Sequence, residues 1–258
     1  MVLAVDIGNS SVAVGVYGGG LLRFVFRISS ERNRTADEVS ALVKSMFDLH
    51  GERISSVEGT VISSVVPILT GTVSSAIQHL TGVDPIIVGP GIKTGVRILI
   101  ENPAQLGGDL LAECVAALSR YKAPLAVIDM GTATVFTVID RNSAIIGGAI
   151  APGVKISMEA LCKNTSLLQE ISLEQPKKVI AGNTQECMKS GLIYGNAGML
   201  DGMLERFERE LGGELFAVAT GGFAEKICSY TKRRIVYDGN LLLDGLYIIY
   251  QKNLQAEV

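Results

Sequence analysis

Short apolar runs separated by polar turns predict three strands at the start of the chain, at residues 2–7, 11–17 and 21–28. Beyond them, apolar residues at helical spacing alternate with short runs that are typical of buried strands. The elements expected in this part are a helix at 36–50, a strand at 57–64, a helix at 67–81, a strand at 85–88 and a helix at 106–121.

The second half of the chain repeats this order of elements. The expected elements are strands at 125–129, 134–140 and 144–150, helices at 155–162 and 183–210, a strand at 215–219 and a helix that begins at Phe223. Three glycines are expected to break or ease the long helix: Gly191, Gly195 and Gly198. The duplication predicts two related α/β domains with mixed sheets, at residues 1–120 and 121–258.

Both halves carry the same polar motif where the first strand turns into the second. The first copy is Asp6-Ile7-Gly8-Asn9-Ser10-Ser11, and the second runs from Asp129 through Gly131 and Thr132 to Thr134. Each copy predicts a β-hairpin whose glycine lets a ligand approach the backbone and whose N–H groups can hold phosphate oxygens. One such turn alone would be read as a structural hairpin. Two copies, half a chain apart, predict an ATP site in a cleft between the domains.

Composition narrows the class of protein further. The chain is 48% hydrophobic and 19% charged with a net charge of −3, which indicates a globular protein without general affinity for nucleic acids or membranes. Its four cysteines form no CxxC pair and it has two histidines, so a zinc site is not expected. Without a leader-like start or a membrane-length apolar run, the chain is expected to be cytoplasmic.

A longer series of motifs, in order along the chain, resembles the type III pantothenate kinases, a family of the superfamily that holds sugar kinases, heat-shock ATPases and actin. The matching stretches, besides the two hairpins, are Ser63-Ser64-Val65-Val66-Pro67, Pro90 to Gly95, Asn102-Pro103, Gly107-Gly108-Asp109, Gly147 to Gly153, Gly182-Asn183-Thr184, Asp201-Gly202 and Thr220-Gly221-Gly222. The resemblance implies two ribonuclease-H-like domains of the actin-like ATPase fold. It also implies ATP-dependent phosphorylation of pantothenate, the first step of coenzyme A synthesis.

The expected roles follow from the residue types and from this resemblance. Asp6 is suited to hold Mg²⁺ through water, and the phosphates of ATP would lie on the following hairpin. The expected ATP-binding residues are Asp6, Ile7, Gly8, Asn9, Ser10, Ser11, Thr132, Gly221 and Gly222. The resemblance implies that Asp109 is the catalytic base and that Asp129 binds a monovalent cation, K⁺ or NH₄⁺. The substrate residues it implies are Gly107, Gly108, Asp109, Leu110 and Thr184, the last of these across the interface of a homodimer.

Several of these residues have structural alternatives. Asp109 could be the N-cap of a helix that starts at Leu110, and Thr184 could cap the helix that follows it, with Glu186 nearby. Gly221-Gly222 could be a bare strand-to-helix turn. The helix at 183–210, with Met188, Met199 and Met203, could be a dimer surface or ordinary core.

The sequence departs from the family pattern at four positions on the acceptor side. Leu110 stands where the family has arginine, Glu113 where it has asparagine, Thr137 where it has aspartate, and Ile100 where it has tyrosine. An arginine fork binds a carboxylate through two hydrogen bonds that leucine cannot make. Two other functions therefore remain open: a non-catalytic nucleotide-binding paralogue with a regulatory or interaction role, and a kinase for another small hydroxylated acceptor.

Overall fold

The computed structural model describes residues 1–254, which form two compact units. The first unit contains residues 1–96, 101–119 and 240–254, and the second contains residues 97–100 and 120–239. Residues 240–254, which the division at residue 120 would place in the second domain, are thus part of the first unit. Residues 255–258 lie outside the described part. Within residues 1–254, no helix has the length and apolar character needed to cross a membrane.

The first unit is built on a five-stranded mixed sheet in the order β3-β2-β1-β4-β5. Its elements are β1 (Val2–Ile7), β2 (Ser11–Gly18), β3 (Leu21–Ser29), α1 (Ala36–Leu49), β4 (Gly59–Ser64), α2 (Pro67–Thr81) and β5 (Ile86–Ile87). Strand β1 pairs antiparallel with β2 and parallel with β4. One face of the sheet packs on α1 and α2 in a core that includes Val5, Ile62 and Phe47. A capping box between Thr35 and Glu38 begins α1.

Two further helices complete the first unit: α3 (Gly108–Arg120), and α7 (Leu241–Leu254) at the end of the described chain. Helix α7 packs on β1 and β4, and its Gly245 lies so close to α3 that an added Cβ would be 1.8 Å from the carbonyl oxygen of Ala112. This backbone contact explains why residues 240–254 belong to the first unit. The sequence pattern did not predict α7, nor the two-residue strands β6 (Arg97–Ile98) and β11 (Val236–Tyr237).

The second unit repeats the sheet of the first and adds one strand, in the order β11-β10-β7-β8-β9-β6. Its other elements are β7 (Leu125–Met130), β8 (Ala133–Ile139), β9 (Ala144–Pro152), α4 (Val154–Lys163), α5 (Thr184–Leu211), β10 (Phe216–Thr220) and α6 (Ala224–Cys228). Strand β7 pairs antiparallel with β8 and parallel with β10, as β1 does with β2 and β4. The expected order of strand, hairpin, strand and helix is therefore present in both units.

Helix α5 is one continuous helix of 28 residues, so the prediction that its glycines break it was wrong. Gly191, Gly195 and Gly198 lie on its exposed side, where an added Cβ would meet no atom within 4 Å. The buried side carries the apolar residues, and Met188, Met199 and Met203 all pack in or against the core of the second unit. Of the two readings of these methionines, the structure supports ordinary core.

Candidate functional site

The turn between β1 and β2 is held by backbone and side-chain hydrogen bonds on both sides. The Gly8 N–H donates to the carbonyl oxygen of Ser11 at 3.1 Å, and the Ser30 hydroxyl donates to that of Gly8 at 2.6 Å. Asn9 and Ser10 at the tip are exposed. The tip is therefore a fixed, solvent-facing loop, which is the form a phosphate-binding hairpin requires.

Ile7 and Asp6 precede this tip and point in opposite directions. The Ile7 side chain is fully buried in the core, and its carbonyl oxygen accepts a hydrogen bond from the Val65 N–H at 3.1 Å. Asp6 lies on the other face of the sheet, half-buried, with its Oδ1 atom shielded from solvent. Part of Asp6 is therefore accessible to solvent, whereas the Ile7 side chain is not.

The N-terminal turn of α3 lies beside Asp6 in the same unit. Asp6 and Ser63 are direct neighbours on the parallel strands β1 and β4, so their side chains lie on the same face of the sheet. Helix α3 begins against Ser63, because a Cβ added to Gly108 would be 3.2 Å from the Ser63 Oγ and 3.2 Å from a Val88 methyl carbon. The strand of Asp6 and the helix of Asp109 therefore converge at Ser63.

Asp109 is the second residue of α3 and not its N-cap, so that structural alternative was wrong. The first helical bond runs from the Leu111 N–H to the carbonyl oxygen of Gly107, which puts Gly107 at the cap position. The Asp109 carboxylate folds back over Gly107 and accepts a hydrogen bond from the Leu110 N–H at 2.8 Å. The partial positive charge at a helix N-terminus stabilises a carboxylate in this place.

The second hairpin, between β7 and β8, brings together three of the expected site residues. Both carboxylate oxygens of Asp129 lie 3.3 Å from where a Cβ on Gly131 would stand, so the carboxylate folds over the turn. Thr132 is exposed at the tip. Gly221 rests on the same hairpin, because its Cβ would be 2.6–2.7 Å from backbone atoms of Met130. Thr220 is the parallel neighbour of Asp129, as Ser63 is of Asp6.

Gly221 and Gly222 differ in what surrounds them, although they are adjacent in the turn after β10. Gly221 has φ of +97°, a backbone conformation that favours glycine, and it has no room for a side chain. Gly222 is exposed, with no atom within 4 Å of an added Cβ. The space beside Gly222 is open to a ligand, whereas Gly221 is required by the turn itself.

Thr184 is an exposed residue at the start of α5, and it does not cap that helix. The cap is Asn183, whose side-chain oxygen accepts a hydrogen bond from the Glu186 N–H at 3.0 Å. The structural alternative, in which Thr184 caps the helix, was therefore wrong by one residue. Thr184 is exposed and so is accessible for a contact.

The four unusual residues of the acceptor side are shielded from solvent to different degrees. Leu110 and Ile100 are half-buried, whereas Glu113 and Thr137 are 1% and 4% exposed. Thr137 lies on β8 opposite Val127, on the same face of the sheet as Asp129.

The residue after Glu113 is the buried Cys114. Burial is the larger cause, and the nearby Glu113 carboxylate the smaller one, that raises the pKa of the Cys114 thiol well above its ordinary value.

The sequence patterns did not assign a role to Ser63 or Ser30. Ser30 bonds the first hairpin through its hydroxyl, and Ser63 is the strand neighbour of Asp6. The available signal was the apolar run at 57–64, which carries serines in its last two positions, as β1 carries Asp6 near its end. A pocket of about 270 Å³ lies elsewhere in the second unit, lined by residues that include Leu204, Ala217 and Arg233. None of its lining residues is an expected site residue, and an ion pair between Arg233 and Glu208 borders it.

The duplicated sheets with an Asp-x-Gly hairpin in each define the class of protein as an actin-like ATPase or sugar-kinase fold. Solved structures agree with this class. A ROK hexokinase from Thermus thermophilus is similar with a TM-score of 0.56 and 12% identity, over 99% of both chains. A Campylobacter jejuni protein described as a Baf family transcriptional activator has a TM-score of 0.62 and 17% identity, over 98% of this chain and 99% of that one. The predicted fold class is confirmed.

Sequence comparison then gives the family within this class. A sequence model described as type III pantothenate kinase matches residues 2–206. Type III pantothenate kinases from Exiguobacterium sp. and Brevibacillus brevis are 41% and 42% identical to the chain over 253 residues, which is 98% of this chain and 99% of each relative. The chain belongs to the type III pantothenate kinase family, as the motifs predicted.

Proposed function

We propose that the protein transfers the γ-phosphoryl group of ATP to the primary hydroxyl of pantothenate, forming 4'-phosphopantothenate in the first step of coenzyme A synthesis. One observation carries the proposal: the strand that bears Asp6 and the helix turn that bears Asp109 converge at Ser63. Phosphoryl transfer needs its cation, phosphates and acceptor hydroxyl aligned, and one unit here offers carboxylates for both ends of that alignment.

Asp6 is the residue we assign to Mg²⁺, through water. Among residues 1–254 there is no group of three or more His, Cys, Asp or Glu side chains that could hold a metal ion. Mg²⁺ commonly takes one or two carboxylates, several waters and the phosphates of its substrate, so a single half-buried carboxylate near the end of β1 fits this ion. When bound, the ion would neutralise charge that develops on the phosphate oxygens.

ATP itself would be bound by backbone groups of the hairpins. In the first unit the backbone from Gly8 to Ser11 holds phosphate oxygens through the N–H groups of its exposed tip, Asn9 and Ser10. The Gly8 N–H bonds the carbonyl oxygen of Ser11 and fixes this turn. From the second unit we assign Thr132 as a further phosphate donor. Gly222, with the open space beside it, takes the adenine or ribose, and Gly221 shapes the turn.

Asp109 acts as the base for the acceptor. It takes the proton of the primary hydroxyl as that oxygen bonds to the γ-phosphorus, the bond to the β–γ bridging oxygen breaks, and ADP leaves. Gly107 leaves room for the Asp109 carboxylate, which folds over the position that a Cβ would take. We assign Gly107, Gly108 and the half-buried side chain of Leu110 to contacts with the acceptor.

Two more features complete the proposal. Asp129, with its carboxylate folded over the second hairpin, holds a K⁺ or NH₄⁺ ion. The protein acts as a homodimer in which Thr184 contacts the acceptor of the other subunit. The exposed glycine side of α5, together with the exposed Ile146 and Ile150 on β9, supports a surface for this association.

Leu110 favours one alternative, a kinase for a hydroxylated acceptor without a carboxylate, because a leucine cannot pair with that group. The test is ATP turnover by the purified protein with pantothenate and with matched hydroxylated compounds that lack the carboxylate. Turnover that depends on pantothenate supports the proposal. Turnover with only the neutral acceptors supports the alternative, and no turnover with any acceptor contradicts both.

A further inference from the structure

The hydroxyl of Ser63 is buried without a hydrogen-bond partner among residues 1–254 of the structure. The residue is 0% exposed, and its Oγ makes no hydrogen bond to any of these residues. Buried polar groups in folded proteins nearly always have a partner, and one that lacks it lowers stability. We therefore expect that the Ser63 hydroxyl forms a hydrogen bond in another state of the protein.

The neighbours of Ser63 indicate which group that is. On one side it is the direct strand neighbour of Asp6, whose Oδ1 is also buried. On another side it touches the position of Gly108, the first residue of α3. Its hydroxyl is closed to solvent, so the acceptor that we consider is a protein group and not a ligand from solution. The Asp6 carboxylate lies on the same face of the sheet, and a hydroxyl rotates freely to suit an acceptor.

We propose that Ser63 is a positioning residue for Asp6: when Mg-ATP binds, its hydroxyl donates a hydrogen bond to the Asp6 carboxylate and fixes the orientation of that group toward the cation. This inference rests on the ATP-binding function proposed above. The bond is charge-assisted, and therefore stronger than a bond between neutral groups. Partners of this kind hold carboxylates and imidazoles in place at many metal sites.

The second unit has the same pairing of a carboxylate with a hydroxyl. Asp129 has Thr220 as its parallel neighbour, and Thr220 is 4% exposed. Both units therefore place a buried hydroxyl beside the aspartate that is the penultimate residue of the first strand of the hairpin. A random packing residue would not be expected at the same register position in two sheets whose sequences differ.

Thr60 supplies a matched control. It lies on the same strand as Ser63, is also 0% exposed, and its hydroxyl likewise lacks a hydrogen-bond partner within residues 1–254. It stands opposite Leu3 rather than Asp6, and it points to the other face of the sheet. Ser63→Ala and Thr60→Val thus remove equivalent hydroxyls, of which only the first can act on Asp6.

The experiment measures Mg²⁺-dependent ATP binding by calorimetry, with the melting temperature of each free protein. Ser63→Ala should require about 10-fold more Mg²⁺ for half-maximal ATP binding, the lower end of the range for loss of such a supporting bond. Its binding of ATP in EDTA and its melting temperature should not fall. Thr60→Val should match the wild type in Mg²⁺ dependence.

The other possible results contradict either the role of Ser63 or the proposed ATP-binding function. A Ser63→Ala protein with wild-type Mg²⁺ dependence, or one that loses ATP binding equally in EDTA, overturns the role of Ser63 alone. A lower melting temperature of Ser63→Ala with no change in Mg²⁺ dependence would show that Ser63 only packs in the core, and would also contradict its positioning role. A wild-type protein that binds no Mg-ATP contradicts the proposed function, and this inference with it.

Discussion

Replacing Gly221 by alanine should destabilise the second unit and disturb the hairpin that carries Asp129 and Thr132. The new methyl group would lie 2.6–2.7 Å from the N, C and O atoms of Met130, which are backbone and cannot turn aside. The residue also has φ of +97°, where a side chain is strained. Either Met130 or the turn after β10 must therefore move.

The magnitude follows from these two costs. Backbone strain of this kind costs about 1–3 kcal/mol, and overpacking adds about 1–3 kcal/mol. The two costs add to about 2–6 kcal/mol. This is a large part of the free energy of unfolding of a typical protein, which is roughly 5–15 kcal/mol. For a chain of this size it corresponds to a fall in melting temperature of roughly 5–20 °C.

Gly222→Ala is the matched control, because its methyl group would meet no atom within 4 Å. Its melting temperature should stay close to that of the wild type, with a change in stability within about 0.5 kcal/mol. Calorimetric scans of the three proteins, with and without Mg-ATP, make the comparison. If Gly221→Ala melts with the wild type, or if Gly222→Ala is the less stable variant, the described turn is wrong.

Three other predictions follow from the site. Leu110→Arg should lower the KM for pantothenate by about one to two orders of magnitude, since a charge-assisted pair contributes about 1.5–3 kcal/mol; an unchanged KM would show that the carboxylate lies elsewhere. Replacing Na⁺ by K⁺ should raise the rate of ATP-dependent turnover through the cation at Asp129, and equal rates in the two salts would refute that site. At pH 8 a thiol reagent should label the exposed Cys187 before Cys228, because burial raises the pKa of Cys228 to about 11 and leaves ~0.1% thiolate. Equal labelling rates would contradict the burial of Cys228.

The two hairpins could be predicted from the sequence because their determinants are local. An apolar run, an aspartate, a glycine and a second apolar run specify strand, turn and strand within about a dozen residues. The structure has these hairpins at Asp6 and Asp129, with strand ends within one residue of the predicted ones. The family resemblance, which extends over the whole chain, added roles that such local patterns do not carry.

Features that depend on distant contacts could not be predicted. Helix α7 is apolar on most of its circumference because it packs on both a sheet and α3, so helical periodicity is weak. The start of α3 lies against Ser63 and Val88, and Asp109 is in its first turn and not at the cap position that the sequence had left open as an alternative. The neighbour relation of Ser63 to Asp6 likewise depends on strand register, which no local pattern specifies.

The central claim, a pantothenate kinase with Asp109 as its base, is tested most directly by the Asp109→Asn variant. Asparagine keeps the shape of the side chain but cannot take the proton of the acceptor hydroxyl. Turnover of pantothenate and calorimetric binding of Mg-ATP are measured for the wild type and the variant. In the variant, turnover should be lost while ATP affinity stays nearly unchanged. A wild type that phosphorylates pantothenate and a variant that does so at the same rate would contradict it.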